Sequence, residues 1–183
     1  MNVKKKIIFT IGHSTRPIDE FVEILKHYQI TELIDIRTIA RSRHNPQFNE
    51  HELAHVLRNH HIGYHHEKHL GGLRHAHKDS VNMGWKNLSF RGFADYMQTD
   101  EFQQALQKLI EIADKKIVVI MCAEAVPWRC HRSLIGDALL VHGFDVEDIF
   151  SLTSVKPHTL TPWAIVHGKK ITYPPSPKAS ADQ

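Results

Sequence analysis

Cysteine, net charge and long apolar segments are all scarce in this sequence. Its 183 residues include only two cysteines, too few for a disulfide framework, so any role of the thiols is chemical or incidental. The formal net charge of +3 is too weak to indicate nucleic-acid binding by itself. No apolar run approaches the roughly 20 residues of a membrane span, and Ile7–Ile11 is too short for a signal peptide. We therefore expect a cytoplasmic protein with no membrane partner.

The composition is that of a folded domain that is rich in histidine. Apolar residues make up 42% of the chain and charged residues 23%, near the average of globular proteins. The 16 histidines make the surface more basic on acidification, but their abundance does not indicate a metal site. The length fits one domain, which we place at residues 1–153. The prolines beyond it predict a tail over residues 154–183 that packs on the domain and frays at its end.

Apolar segments typical of strands alternate with amphipathic segments typical of helices. Strands are predicted at Ile7–Ile11, Leu33–Ile36, Ile62–His65, Ile117–Met121 and Val146–Phe150. Helices are predicted from Pro17 to about Tyr28, from an Asn49 cap to His60, and over Phe90–Met97, Glu101–Asp114 and Cys130–His142. Residues 67–90 have no clear period, which is typical of a functional or mobile loop. The alternation predicts an α/β fold with one doubly wound, mostly parallel sheet and helices on both faces, Rossmann-like or rhodanese-like.

Reactive and basic side chains follow three of the predicted strands, and parallel strands would bring them to one edge of the sheet. Ligands of such sheets bind beyond the carboxyl ends of the strands. The candidate catalytic residues are His13, Cys122, Glu124 and Cys130. The candidate substrate-binding residues are Ser14, Asp35, Arg37, Arg41, Ser42, Arg43, Arg129, His131 and Arg132. Because arginine clusters and helix N-termini favour anions, we expect a phosphate- or nucleotide-like small molecule as the partner.

Either thiol is a candidate nucleophile. Cys122 follows a buried strand and enters a loop before a helix, as in rhodanese-like sulfur carriers and cysteine-dependent phosphatases. The interval from Cys122 to Arg129 is one residue longer than in those phosphatases, and Glu124 would repel an anion in the loop. Cys130 lies in the predicted first helical turn, where a lowered pKa is expected. The alternative for both thiols is an apolar side chain that is simply packed.

Three other candidates also have structural alternatives. His13 is either an acid–base group or a capping residue of the first turn. Asp35 either orients a neighbouring side chain or forms an ion pair at a strand end. Arg41 and Arg43 either bind the substrate anion or belong to a solvated loop.

One metal-binding pattern lies outside this group. His51 and His55 satisfy the H-E-x-x-H spacing on a predicted helix, which is the arrangement that binds zinc in metalloproteases. The pattern lies between the second and third strands of an α/β fold, and no third ligand is evident. We assign the chain no metal and no cofactor, and we keep a metal-dependent hydrolase as an alternative.

These motifs together resemble a family of uncharacterised proteins. The residues that carry the resemblance are Thr10–Ser14, Asp35–Arg37, Ser42–Arg43 with Pro46–Phe48, Leu70–Gly72, Met121–Glu124, Cys130–Arg132 and Pro157–Thr161. They resemble domain-of-unknown-function family 488 over about residues 7–175. The resemblance implies a cytosolic, mostly prokaryotic α/β domain without an established activity. Asp35–Arg37 and Cys122–Arg132 are also similar to a rhodanese arrangement.

The sequence therefore favours an enzyme that acts on an anionic small molecule at a site of cysteine, histidine and arginine. A thiol-dependent transferase or hydrolase fits this description. The first alternative is a non-catalytic module that binds a nucleotide or nucleic acid through the arginine side chains. The second is the metal-dependent hydrolase built on His51 and His55.

Overall fold

A six-stranded sheet and a two-stranded sheet organise the protein, for which a computed structural model describes residues 5–177. The strands are β1 (Ile7–Gly12), β2 (Glu32–Asp35), β3 (Gly63–His66), β4 (Val118–Cys122), β5 (Asp145–Ser151), β6 (Ser154–Pro157), β7 (Ile165–His167) and β8 (Lys170–Thr172). The helices are α1 (Ile18–His27), α2 (Glu50–Asn59), α3 (Leu88–Tyr96), α4 (Asp100–Ala113) and α5 (Arg132–Val141).

The larger sheet is mostly parallel and has helices on both faces. Its order is β3-β2-β4-β1-β5-β6, and only β6 runs antiparallel to its neighbour. Helices α1 and α2 cover one face, and α3, α4 and α5 cover the other. The predicted α/β fold, Rossmann-like with a mostly parallel sheet, is confirmed. The two central strands, β1 and β4, end beside each other, because Gly12 pairs with Cys122.

Alternation along the strands decides which side chains share a face of the sheet. Val118, Ile120 and Cys122 of β4 pack toward α3, α4 and α5. Val119 and Met121 pack toward α1 and α2. Side chains at the ends of neighbouring strands therefore reach the same edge but can point to opposite faces.

Two predicted features of helix starts differ in the structure. Helix α5 begins at Arg132 and not at Cys130, because a short 3-10 turn over Pro127–Arg129 leaves Cys130 in an extended conformation with φ −137° and ψ 145°. Asn49 does precede α2, but its side chain does not cap the helix. Its Oδ1 instead accepts a hydrogen bond from the Ser42 backbone N–H at 2.8 Å and closes the loop after β2.

The long segment after β3 is held in place by Asp95 of α3. This carboxylate accepts hydrogen bonds from the His77 backbone at 2.8 Å, from Ser80 at 2.6 Å and from Asn82 at 2.7 Å. Asn82 in turn accepts a bond from the Tyr173 backbone at 2.9 Å. The segment is thus an irregular but extensively bonded connection between the sheet and the C-terminal part of the chain.

The predicted tail packs against the domain. Residues 154–157 form the edge strand β6, and Tyr173, which follows the hairpin of β7 and β8, is fully buried in the core. The boundary at residue 153 stays a prediction, although β6 continues the main sheet beyond it. The predicted frayed end, from residue 178 onward, lies outside the described residues. Within residues 5–177, no helix has the length and apolar content needed to cross a bilayer.

A buried charged cluster fastens the C-terminal segment to the sheet. His158 Nε2 lies 2.9 Å from Asp137 Oδ1, and His158 Nδ1 lies 3.4 Å from Asp148 Oδ2. Tyr173 donates to Asp137 at 2.8 Å, and Thr10 donates to Asp148 at 2.5 Å. Burial alone would lower the pKa of His158, but the hydrogen bonds and charges of the two carboxylates raise this pKa to about 9. A protonated imidazole between two carboxylates therefore joins β5, α5 and the tail.

The wild-type protein is expected to lose stability at alkaline pH, and replacing His158 with glutamine is expected to abolish that pH dependence. Because the folded-state pKa of His158 is raised to about 9, its contribution is complete below about pH 6.5 and disappears as the pH rises through 9. A shift of this size corresponds to about 3 kcal/mol of unfolding free energy. Urea unfolding across this pH range should show the loss in the wild type and in an exposed control, His167→Gln, but not in His158→Gln. Parallel pH dependence in all three proteins would contradict this role.

Candidate active site

The loop after β4 is held closely against the end of β1. The His13 backbone N–H donates to the Cys122 carbonyl at 2.9 Å, and the Ser14 N–H donates to the Ala123 carbonyl at 3.0 Å. Gly12 lets the loop approach, because a Cβ at this position would lie 1.7 Å from the Glu124 carbonyl oxygen. These main-chain contacts place the Cys122 side chain at the carboxyl edge of the central strands.

A buried arginine faces the Cys122 sulfur. Arg132, the first residue of α5, is 1% exposed, and its Nη1 donates to Cys122 Sγ at 2.8 Å and to the Glu124 carbonyl at 2.9 Å. Its Nε is buried without a hydrogen-bond partner. Among residues 5–177, no carboxylate lies within ion-pair distance of this guanidinium. The thiolate form of Cys122 is therefore the anion available to balance the charge of Arg132.

The pKa values of the two thiols are shifted in opposite directions. Burial raises the pKa of Cys122, but a hydrogen bond from Cys130 and the charge of Arg132 outweigh it and bring this pKa down to about 7. The same hydrogen bond, together with burial, raises the pKa of Cys130 well above its ordinary value. The shifts favour the thiolate form of Cys122 and the thiol form of Cys130.

His131 stands beside Cys130 as a neutral base. Burial lowers the pKa of His131 to about 4. Its Nε2 lies 3.1 Å from the Ile36 carbonyl, which can only accept, so Nε2 carries the proton. Its Nδ1 is then an acceptor, and it lies 3.5 Å from Cys130 Sγ. The geometry allows His131 Nδ1 to accept a hydrogen bond from the Cys130 thiol.

A second polar network occupies the opposite face of the sheet. The Asp35 carboxylate accepts hydrogen bonds from Nε and Nη2 of Arg37, at 2.9 and 2.6 Å, and from the Tyr64 hydroxyl at 2.6 Å. Arg37 Nη2 also donates to the Phe48 carbonyl at 2.7 Å, and Arg37 Nη1 lies 3.4 Å from His13 Nε2. The Asp35 carboxylate thus balances the charge of Arg37.

His13 belongs to this second network. Its ring stacks on Phe48 with centroids 4.3 Å apart, and its Nδ1 donates to the Ser14 carbonyl at 2.8 Å. Burial is the main reason that the pKa of His13 falls to about 4, so the imidazole is neutral. The structure places it as a support for Arg37, on the other face of the sheet from the thiols.

An open cleft of about 420 Å³ lies over the thiols. It is lined by Arg37, Thr38, Ile39, Arg41, Gly72, Leu73, Asn87, Ser89, Phe90, Cys122, Ala123, Glu124, Arg129, Cys130 and His131. Arg41 and Arg129 are exposed at this cleft, and within residues 5–177 neither forms an ion pair. Ile39 and Leu73 add apolar surface, since they are 65% and 76% exposed. The cleft suits an organic anion with an apolar portion.

The sequence-predicted residues divide into three groups. Those that line the cleft are Arg37, Arg41, Cys122, Glu124, Arg129, Cys130 and His131. Arg132 lies behind Cys122, while His13 and Asp35 lie in the second network. The remaining three, Ser14, Ser42 and Arg43, do not line the cleft. The two imidazoles are separated, because His131 lines the cleft whereas His13 lies in the second network, and only Arg37 belongs to both the network and the cleft lining.

Local structure explains the roles of three further candidates. Glu124 contributes its backbone carbonyl to Arg132, whereas its side chain is exposed. Ser42 accepts the Asn45 N–H at 3.1 Å and so shapes its own loop. Ser14 adopts a left-handed φ of 49° and bonds the Cys122 loop through its main chain.

Sequence analysis overlooked Tyr64 and Thr38 as parts of the site. Tyr64 pairs with Leu33 in the parallel register, so alternation places it on the same face as Asp35, a signal that was present in the strand pattern. Thr38 Oγ1 donates to the Gly72 carbonyl at 2.8 Å and thereby sets one wall of the cleft. That contact joins residues far apart in the chain, so no local sequence pattern predicts it.

His51 and His55 are both exposed on α2. His55 Nε2 lies 3.4 Å from the Asn59 side chain. Over the described range 5–177, no group of three or more His, Cys, Asp or Glu side chains is arranged to hold a metal ion. The structure thus brings no third ligand to the H-E-x-x-H pair.

The fold and the cleft define an α/β protein with paired thiols at the carboxyl edge of a parallel sheet. A family model described as "Domain of unknown function DUF488" matches residues 17–139, about two thirds of the chain, and the chain belongs to this family. No curated protein and no solved structure is significantly similar to the chain. The resemblance to rhodaneses stays a prediction.

Substitution of Gly12 by alanine adds only one methyl group, but it is expected to weaken the stabilisation of the Cys122 thiolate. The added Cβ would meet the Glu124 carbonyl, so the loop must shift, and the contact between Arg132 and Cys122 shifts with it. We expect a loss of about 1–3 kcal/mol of stability and a weaker thiolate absorbance near pH 7. Glu124→Gln keeps the carbonyl and serves as the control. Wild-type absorbance in Gly12→Ala would contradict this account.

Proposed function

We propose that this protein is an enzyme in which the Cys122 thiolate attacks an anionic small molecule bound in the cleft. The observation that carries the proposal is the contact of 2.8 Å between Cys122 Sγ and the buried guanidinium of Arg132, which has no carboxylate partner in the described range 5–177. A buried arginine paired with a thiolate costs less free energy than one left unpaired. The fold therefore supports the anionic, nucleophilic form of the sulfur.

The charges around the cleft support an anionic substrate. Asp35 already balances Arg37, and the Cys122 thiolate balances Arg132. Arg41 and Arg129 remain, and their exposed guanidinium groups can contact an anion as it approaches the sulfur. The Glu124 side chain is also exposed at the cleft, so an anion is best accommodated on the side of the two arginines.

Proton transfer in the cleft is best assigned to His131. Its Nδ1 is an unprotonated acceptor beside the thiols, whereas His13 is engaged by Ser14 and Arg37 outside the lining of the cleft. The leaving group takes the electron pair of the bond that Cys122 breaks, and the product remains attached to Cys122 until a second acceptor removes it. The reaction class is group transfer or hydrolysis through a covalent cysteine intermediate.

A binding module would not need a reactive thiol. The competing hypothesis, a nucleotide- or nucleic-acid-binding protein that uses its arginines, leaves Cys122 as an inert core side chain. The measured reactivity of Cys122 therefore separates the two hypotheses without knowledge of the natural substrate.

Alkylation of Cys122 by iodoacetamide is expected to depend on pH with a midpoint near 7. Because only the thiolate reacts, the rate should rise through this midpoint and then level off. Arg132→Gln removes the stabilising charge and should move the midpoint upward by about one pH unit or more. Peptide mass spectrometry assigns the modified residue, and Cys122→Ser is the control. A wild-type midpoint at or above that of an ordinary thiol, about 8.5, would contradict the proposal.

The preference of Cys122 for an anionic reagent is expected to depend on Arg41 and Arg129. Iodoacetate and iodoacetamide differ mainly in charge, so the ratio of their rates reports the potential at the sulfur. Arg41→Gln and Arg129→Gln should each lower this ratio about two- to fivefold at low salt. Arg43→Gln, which changes an exposed arginine outside the cleft lining, is the matched control. Equal ratios in all four proteins would remove the two arginines from anion binding.

A further inference from the structure

Nucleophilic attack by Cys122 does not by itself require a second thiol, yet Cys130 lines the same cleft. Both sulfurs also contact Arg132, whose Nη1 donates to Cys122 Sγ and whose backbone N–H lies 3.4 Å from Cys130 Sγ. The fold therefore places both sulfurs against the same arginine and in the lining of one cleft.

We infer that Cys122 and Cys130 form a reversible dithiol–disulfide pair and that the substrate is an anionic organic disulfide. This inference rests on the proposed function, because Cys122 must first act as the nucleophile. It adds the class of substrate and a separate task for Cys130, which is to resolve the covalent intermediate.

The first step is a thiol–disulfide exchange. The Cys122 thiolate attacks one sulfur of the substrate disulfide, forms a mixed disulfide and expels the other half of the substrate as a thiolate. Arg41 and Arg129 are placed to attract the anionic substrate, and Ile39 and Leu73 offer apolar contact to its carbon skeleton. No outside oxidant is needed, because the substrate disulfide itself accepts the two electrons.

The second step uses the proton acceptor beside Cys130. Once Cys122 is a mixed disulfide it no longer carries the charge that holds the Cys130 proton, and His131 Nδ1 at 3.5 Å remains as an acceptor. Cys130 gives its proton to His131 and attacks the Cys122 sulfur. The Cys122–Cys130 disulfide forms, and the second half of the substrate leaves as a thiolate that takes the proton from His131. One substrate disulfide is thereby reduced to one thiolate and one thiol, while the thiolate and thiol of the protein are oxidised to a disulfide.

The buried arginine makes the oxidised protein easy to reduce. In the disulfide form Arg132 loses the thiolate that balances its charge, so the reduced state is the more stable one. A protein disulfide of this kind is reopened by excess thiol, which completes a cycle. We therefore expect the disulfide to be transient and the dithiol to be the resting form.

Oxidised glutathione and cystamine are suitable probes, because the first is an anionic disulfide and the second is cationic. Reduced wild-type protein, freed of reductant, is mixed with each probe, quenched with acid and analysed by intact and peptide mass. With oxidised glutathione, the wild type should form the Cys122–Cys130 disulfide without a lasting adduct. Cys130→Ser should retain one glutathione on Cys122, and Cys122→Ser should form neither product. The reaction with cystamine should be slower by about tenfold at low salt.

The outcomes separate this inference from the function on which it rests. A lasting glutathione adduct on wild-type Cys122, equal to that on Cys130→Ser, would overturn the resolving role of Cys130 while leaving Cys122 a nucleophile. Equal rates with both probes would overturn the anionic substrate class. A disulfide that excess reduced glutathione fails to reopen would contradict the role of Arg132. If Cys122 reacts neither with these probes nor with iodoacetamide, the proposed function itself is wrong.

Discussion

The guanidinium of Arg132 carries a positive charge in a place from which water is almost excluded. Its polar contacts are the Cys122 sulfur and main-chain carbonyls, and within residues 5–177 it has no carboxylate partner. A buried charge without a counter-ion is costly, so the fold and the ionisation of Cys122 are coupled. The other features of the site follow from this pair: the close approach permitted by Gly12, the loop after β4 and the start of α5 all serve to place it.

The two polar networks at the carboxyl edge differ in the anion that faces each buried arginine. Asp35, Tyr64 and His13 neutralise and hold Arg37 from the face of the sheet that α1 and α2 cover. Cys122 and Cys130 occupy the face that α3, α4 and α5 cover, where the cleft opens. Buried ion pairs of the first kind are expected to fix geometry, whereas a thiolate facing a guanidinium is a reactive arrangement.

Much of the fold could be predicted from local patterns. The apolar runs at β1 and β4 and the amphipathic stripe of α4 are strong signals, and their bounds lie within one residue of prediction. The start of α5 was less predictable, because Cys130, His131 and Arg132 all look compatible with a first helical turn. The 3-10 turn at Pro127–Arg129 determined the outcome by leaving Cys130 extended. That difference matters, since Cys130 lies just before α5, where its Sγ accepts a hydrogen bond from the backbone N–H of Arg132 at 3.4 Å.

The sequence by itself determined the alternation of strands and helices, and therefore that residues following β1, β2 and β4 would gather at one edge. Only the tertiary structure decided which of them share a cleft and which arginine is buried against a thiol. The physical reason is that these properties depend on distances between side chains far apart in the chain. Arg132 is one of five arginines in the predicted set, and nothing in its local sequence distinguishes it. It differs from the others in being buried against Cys122 with no carboxylate partner among residues 5–177.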